Sequence, residues 1–313
     1  MQFFLFIKSQ RKDEGELLAK ITYYFGTKNN KQLKKITANP LFHQVVEYLT
    51  QQPNVILRQL KAAFEKEPHF DVFLDQLIKY ELLERKNRRY TLNFPIFSSS
   101  DFAVPEEVIL EIQQMKQEKL EFGCFLMGQR LWPLLFTEES YFFGVDSGKS
   151  SLHFLTKTEV GNETLSFISI TPDDKKEVTA ANYFSVLAEG GEVPSTFQTL
   201  EQLIGDVDVD YFVLQTRRIL RSLKRNNSKR NIFQEALVET GTLQKDEQGS
   251  YNLTLPVINK DFSIDIHTPQ LQKLVHELNK LPVNQRMFFK KQLYSLLFHT
   301  YFSENSNISY IIN

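Results

Sequence analysis

The chain is sparing with cysteine, glycine and proline, shows no excess of either charge, and has no long apolar run. Cys124 is the single cysteine in 313 residues. That excludes an intramolecular disulfide and a cysteine-built zinc site, and it fits a small buried residue in a reducing compartment. Twelve Gly and eleven Pro are too few for long low-complexity linkers. Lys and Arg total 37 against 38 Asp and Glu, a net charge of −1, so a nucleic-acid partner would have to be served by a local basic patch. No apolar run approaches the roughly 20 residues of a membrane span. The opening MQFFLFIK has neither a preceding positive region nor a following small-residue cleavage site. The expectation is a cytoplasmic protein without membrane contact. Aromatics, in contrast, are plentiful: 27 Phe and 12 Tyr supply large areas for well-filled cores.

Within this composition one phrase recurs. ILRQLK (56–61) and ILRSLK (219–224) differ at one position and stand 163 residues apart. Near that spacing Tyr48 matches Tyr211, FLDQLIKYELL (73–83) faces FQEALVETGTL (233–243), and YTLNFPIF (90–97) faces YNLTLPVI (251–258). LWPLLF (131–136) faces LYSLLF (293–298), and FFLFIKSQRKDE (3–14) faces SFISITPDDKKE (166–177). A period this long means two like domains rather than a solenoid. The boundaries read 1–163 and 164–313.

Each half opens with a strand-like run, 2–8 and 165–171, followed by helical segments near 15–25 and 31–37, and near 179–188 and 196–204. PLFHQVVEYLTQQ places Phe42, Val45, Val46 and Leu49 at helical spacing. Pro53 and Pro68 then separate it from two further helices, ILRQLKAAFE and FDVFLDQLIKYELLER. Strand, polar turn, strand (ERKNRRYTLNF) closes the unit, as LQKDEQGSYNLTL does in the second half. Three helices and a hairpin in this order are the pattern of a winged helix, with cores near 40–97 and 205–258. More helices follow near 105–119, 125–137, 269–280 and 283–301. The runs 151–160 and 164–171 read as a hairpin turning at Gly161–Asn162, and by symmetry 308–312 is expected to pair with 2–8. The fold class expected is helix-rich α+β, a tandem, pseudo-twofold duplication of a winged-helix-like unit.

NRRYTLNFPIF (87–97), ANYFSVL (181–187) and GDVDVDYFVLQTRRIL (205–220) resemble a bacterial family known as domain of unknown function 1803, occurring in one or two copies per chain. The resemblance implies a duplicated bacterial cytosolic protein and lends no catalytic residue or cofactor.

Chemistry is hard to find. Gly144–Ser151 (GVDSGKSS) has three residues between its glycines where a phosphate loop needs four, and strand-like sequence follows it, so it reads as a turn. His43, His69, His153, His267, His276 and His299 make no metal-ligand spacing. No cofactor or catalytic residue is expected. On the third helices, Asp71, Asp75, Glu81, Glu84, Glu235 and Glu239 would repel DNA phosphate. Two basic features oppose this. The first wing carries Arg85, Lys86, Arg88 and Arg89, and the second half places Arg217, Arg218, Arg221, Lys224 and Arg225 on one helix arc, opposite Ile219, Leu220 and Leu223. A plain solvated face, paired with Glu201, Asp206, Asp208 and Asp210, is the reading of that arc that the sequence favours. The reading favoured is a non-enzymatic protein-binding or assembly module. Nucleic-acid binding through the basic arc and the first wing is the alternative, and an enzyme with a cleft between the halves is a third.

Overall fold

The computed structural model describes residues 21–26, 30–137, 139–146, 153–190, 192–223, 231–303 and 306–313. The fold is α+β with several small sheets. The first half runs β1 (Ile21–Gly26), α1 (Asn30–Thr37), α2 (Pro40–Gln51), β2 (Val55–Ile56), α3 (Leu57–Ala63), α4 (Phe70–Lys79), β3 (Leu83–Lys86), β4 (Arg89–Leu92) and β5 (Ile96–Ser98). It continues with α5 (Glu106–Gln114), then α6 (Leu120–Phe125), which passes through a π-helical stretch (Leu126–Leu131) into α7 (Trp132–Leu135), and β6 (Tyr141–Asp146). The second half runs β7 (Leu155–Asn162), β8 (Leu165–Pro172), α8 (Ala180–Glu189), α9 (Gln198–Ile204), α10 (Val209–Leu223), α11 (Ile232–Glu239), β9 (Leu243–Lys245), β10 (Tyr251–Leu253) and β11 (Val257–Ile258). It ends with α12 (Pro269–Leu278), α13 (Val283–Phe302) and β12 (Ile308–Ile312).

Local chemistry explains the element ends. Asn39 caps α2, its Oδ1 accepting the Leu41 N–H at 3.0 Å, and Pro40 occupies the first turn, where no N–H is needed. Phe42, Val45, Val46 and Leu49 are then buried on one face. At the end of α4, Glu81 takes a left-handed φ of 58° and the Leu82 N–H returns to the Leu77 carbonyl at 2.9 Å. At the end of α11, Gly241 has φ 64° and the Thr242 N–H returns to the Leu237 carbonyl at 2.8 Å. Both are the bond that satisfies orphan carbonyls at a helix end. Each helix leads into a hairpin. β3 and β4 join β2 in a sheet ordered β2-β4-β3, whereas, among the described residues, β9 and β10 form a two-stranded sheet. A cation lies over a tyrosine in each hairpin, Arg85 over Tyr90 at 5.6 Å and Lys245 over Tyr251 at 5.9 Å.

The other two sheets share a pairing rule. β6 runs antiparallel to β1 and parallel to β5, and β12 runs antiparallel to β8 and parallel to β11. The parallel register opens with the same bond in both: Gly144 N–H to the Pro95 carbonyl at 3.0 Å, and Ile311 N–H to the Pro256 carbonyl at 2.9 Å. β7 and β8 form the expected hairpin across Gly161–Asn162.

Three expectations change. Residues 21–25, read as part of a helix, form β1, because β-branched and aromatic Ile21–Phe25 find a strand partner in β6. The end of the chain, 308–312, pairs with β8 and β11, and the run 2–8 lies outside the described residues. Gly144, Val145 and Asp146 complete β6 rather than a turn.

Two compact units result. One comprises the described residues of Met1–Ala103, Thr137–Leu152 and His276–Gln292. Its core includes Phe42, Val45, Leu60, Leu77 and Tyr90. Here Phe288 stacks on Phe97 and Phe289 on Phe102, both at 4.5 Å, and Asn284 Oδ1 accepts the Phe142 N–H at 3.0 Å. The other comprises the described residues of Val104–Phe136, His153–Val275 and Leu293–Asn313. Its core includes Leu165, Tyr183, Phe197, Phe212, Leu237 and Ile311. Within it Trp132 meets Tyr294 edge-on at 5.1 Å, and Glu111 caps α12 by accepting the N–H groups of Gln270 and Leu271 at 3.1 and 2.9 Å.

Candidate functional site

The segment VDYFVLQTRRILRSL forms α10 because its apolar positions recur at helical spacing. Phe212, Val213, Thr216 and Ile219 are buried, while Leu220 and Leu223 pack at the core's margin. The start of the helix is pinned twice. Asp208 Oδ1 accepts the N–H groups of Asp210 and Tyr211 at 2.8 and 3.2 Å, and Asn162 Nδ2 donates to Asp210 Oδ1 at 2.7 Å. On the arc away from the core, Tyr211, Leu214, Arg218 and Arg221 are exposed.

Asp208 and Asp210 are therefore occupied at the helix start and do not neutralise the arginines. Among the described residues, no carboxylate lies within ion-pairing distance of Arg217, Arg218 or Arg221. Arg217 and Arg221 line a pocket of about 170 Å³ together with Leu220 and Asn313. Asn313 arrives there through the sheet, its N–H on the Ile258 carbonyl at 2.9 Å and its carbonyl taking the Lys260 N–H at 3.1 Å. Lys224 and Arg225 lie outside the described residues.

The β3–β4 hairpin, expected from the sequence to be the first wing, is less open than its composition implies. Lys86 pairs with Arg89 across β3 and β4, leaving Asn87 and Arg88 as the turn, with φ 51° and 60°. Two successive positive φ values are the two-residue hairpin geometry that matches strand twist. Arg89 donates from Nη1 to the Asn54 carbonyl at 2.7 Å, and Arg85 covers Tyr90. Of the four cations, Lys86 and Arg88 are left to solvent.

The third helices carry apolar residues where a DNA reader carries cations. On α4, Val72 is 58% exposed between Asp71 and Asp75, and Asp71 is held by Lys61 at 2.8 Å. On α11, Ile232 is 49% exposed ahead of Glu235 and Glu239. Val72 precedes Phe73 as Ile232 precedes Phe233, the pair already matched in sequence. Glu81 and Glu84 fall beyond α4, on its left-handed exit and on β3.

Among the described residues, no group of His, Cys, Asp and Glu is arranged to hold a metal. Cys124 is buried, and burial foremost, with the Glu121 charge, pushes its thiol up to about 12. One charged cluster escaped sequence reading. On α13, Lys290 and Lys291 are buried in an aromatic-rich stretch, Arg286 binds Glu139, and Lys291 lies over the Tyr24 ring at 5.7 Å. Burial opposes the charged form of Glu139, yet the bonds from Arg286 and Thr137 and the charges of Arg286 and Lys290 hold its carboxyl below the usual range. The signal available was the RMFFKK run itself, charges set inside a hydrophobic helix.

Residues 22–122 match a family described as a domain of unknown function (DUF1803). The match covers β1 to α6 and one copy, and the motifs at 181–187 and 205–220 lie beyond it. No curated protein and no solved structure matches the chain. Among the described residues, no helix is long and apolar enough to cross a membrane.

Proposed function

We propose that this chain is a non-enzymatic, cytosolic protein-docking or assembly module built from two fused winged-helix-like halves. The order α2-β2-α3-α4-β3-β4 with its β2-β4-β3 sheet supports a winged helix in the first half. The recurring helix exit at Leu82 and Thr242, the Pro95 and Pro256 bonds, and the shared strand rule support a second copy of the same plan.

The observation that carries docking is the exposed aliphatic residue, Val72 and Ile232, at matching places on the two third helices, each beside carboxylates. Carboxylates repel phosphate, whose neutralisation is the main source of non-specific DNA affinity. An exposed aliphatic side chain gains from burial against another protein, roughly 25 cal/mol per Å² of apolar area. The test compares tagged wild type with Val72→Asp/Ile232→Asp in affinity purification from nuclease-treated lysate, read by quantitative mass spectrometry. Both changes are at exposed positions and leave the fold intact, checked by circular dichroism. Partners retained by wild type and absent from the variant support the proposal. Partners removed by nuclease, or held equally by both proteins, refute it.

A second reading, nucleic-acid binding, is favoured by Arg217, Arg218 and Arg221, unpaired among the described residues, with Lys224, Arg225, Lys86 and Arg88 as auxiliaries. It expects duplex affinity that falls steeply with salt. In Arg217→Glu/Arg221→Glu/Lys224→Glu the log–log salt slope should flatten by about 3, because each neutralised phosphate contributes nearly one. A slope near zero in the wild type rejects it.

A further inference from the structure

We propose that β7 is a self-pairing edge: it joins β7 of a second copy of this chain, antiparallel about a two-fold axis at Thr158. This goes beyond the docking reading and stands independently of it, because it rests on a strand edge rather than on the third helices. β7 is the outer strand of the sheet ordered β11-β12-β8-β7, and its eight residues pair with β8 one to one, without a bulge. Glu163 and Thr164 make the two-residue turn, so Asn162 and Leu165 exchange both of their backbone bonds. By alternation Thr156, Thr158 and Val160 also bond to β8, and Leu155, Lys157, Glu159 and Gly161 direct their N–H and C=O groups away from it. Among the described residues, those outward groups have no backbone partner. A long edge strand without proline or bulge is a template for another strand. The opposite edge of the sheet, β11, offers only Val257 and Ile258.

The side chains select the partner and the register. Antiparallel pairing requires outward residues to face outward residues, so the axis at Thr158 has two neighbouring alternatives. An axis at Lys157 sets that lysine against its own copy, and an axis at Glu159 does the same with the carboxylate. Like charges directly opposite destabilise an antiparallel pair. With the axis at Thr158, Lys157 faces Glu159 of the second copy and Glu159 faces its Lys157, the reciprocal contact of a two-fold interface. Within one chain these two residues form an ion pair at 2.8 Å, with the Lys157 side chain 10% exposed. A plainer role for a lysine turned in beside an edge is to forbid pairing, since an added strand would trap its charge. That deterrent needs the charge to lack a partner, and in this register each lysine exchanges one carboxylate for another. A strand of another protein would have to supply the same alternation of charge, whereas a second copy carries it already.

The test is sedimentation equilibrium of the full chain from micromolar to submillimolar concentration, repeated with Lys157→Glu, Glu159→Lys and an equimolar mixture of the two. The wild type is expected to dimerise. Each variant alone sets like charges opposite each other twice and should weaken the dimer about tenfold or more. In the mixture every charge meets its opposite again, and a heterodimer should recover the wild-type affinity. Each variant chain keeps its own repulsion between positions 157 and 159 in the mixture, so recovery cannot come from a repaired monomer. A disulfide reads the register separately. Residues facing each other at the axis, in a non-hydrogen-bonded pair, have Cα atoms roughly 4.5 Å apart, within the span of a disulfide. Thr158→Cys should therefore give a cross-linked dimer on oxidation. Val160→Cys, whose two copies stand about 13 Å apart along the strands, should not. Cys124 is buried and stays out of this chemistry. A wild type that remains monomeric throughout the range overturns the proposal, leaving the edge to a strand of another protein or to solvent. A dimer that both charge variants retain, a mixture that does not recover it, or equal cross-linking of Val160→Cys and Thr158→Cys also overturns it, because β7 then does not pair in this register.

Discussion

Replacing Gly128 by alanine places a methyl group where the structure holds a tyrosine hydroxyl. Gly128 lies in the π-helical stretch between α6 and α7, and a Cβ built there stands 1.9 Å from the Tyr310 hydroxyl oxygen and 2.9 Å from its Cζ. Tyr310 has little room to retreat. Its ring is fully buried, its hydroxyl accepts a bond from Gln129 Nε2 at 3.0 Å, and β12 is held by β8 along its length. Overpacking of this kind costs about 1–3 kcal/mol. Loss of the Gln129 bond adds about 1 kcal/mol, and the better helix propensity of alanine returns roughly the same amount. The net expectation for Gly128→Ala is a destabilisation of about 1–3 kcal/mol. Tyr310→Phe alone forfeits the hydrogen bond, about 1 kcal/mol. In the double variant, the overlapping oxygen is gone and the ring carbon relaxes by a small shift. The pair should therefore be less destabilised than the sum of the singles by about 1 kcal/mol or more, the sign of direct coupling between the two sites. Urea unfolding followed by far-UV circular dichroism measures all four corners of the cycle. A neutral Gly128→Ala, or strict additivity, refutes the packing argument.

Cys124 should resist a thiol reagent in the native protein and react only on unfolding. A thiol raised to about 12 is almost wholly protonated at neutral pH, and it is buried besides; fast native-state labelling with Ellman's reagent contradicts this. Glu139→Gln should cost about 1–3 kcal/mol at pH 7, because Glu139 is the carboxylate of a half-buried pair with Arg286. The Glu139 carboxyl titrates lower when folded than the unfolded value of about 4.3, so its contribution is complete above that value and is lost as pH falls through the folded one. The stability gap between wild type and variant should close in acid, and a gap constant from pH 7 to pH 3 would argue against the ion pair. Leu237→Ala, at a fully buried position whose carbonyl anchors the exit of α11, should cost about 2–5 kcal/mol by thermal or urea unfolding.

Much of the fold could be read from local pattern. Phe42, Val45, Val46 and Leu49 mark α2, Pro53 and Pro68 separate the helices that follow, and Gly161–Asn162 turns β7 into β8. The arc of α10 was legible for the same reason, since helical periodicity is a property of neighbours in sequence. Partners distant along the chain were not. ITYYFG becomes a strand because residues 141–146 come to lie beside it, and no local rule carries that information. Likewise, the strand ISYII was legible at 308–312, but its neighbours β8 and β11 are set by tertiary pairing. The same division runs through the candidate site. Sequence alone placed Arg217 and Arg221 on one side of a helix. Only the folded chain decided that Asp208 and Asp210 are engaged at the helix start and that Asn313, far away in sequence, lines a pocket together with Arg217, Leu220 and Arg221. Composition and periodicity determine which face a residue takes, but which groups meet across space depends on how the sheets and helices pack.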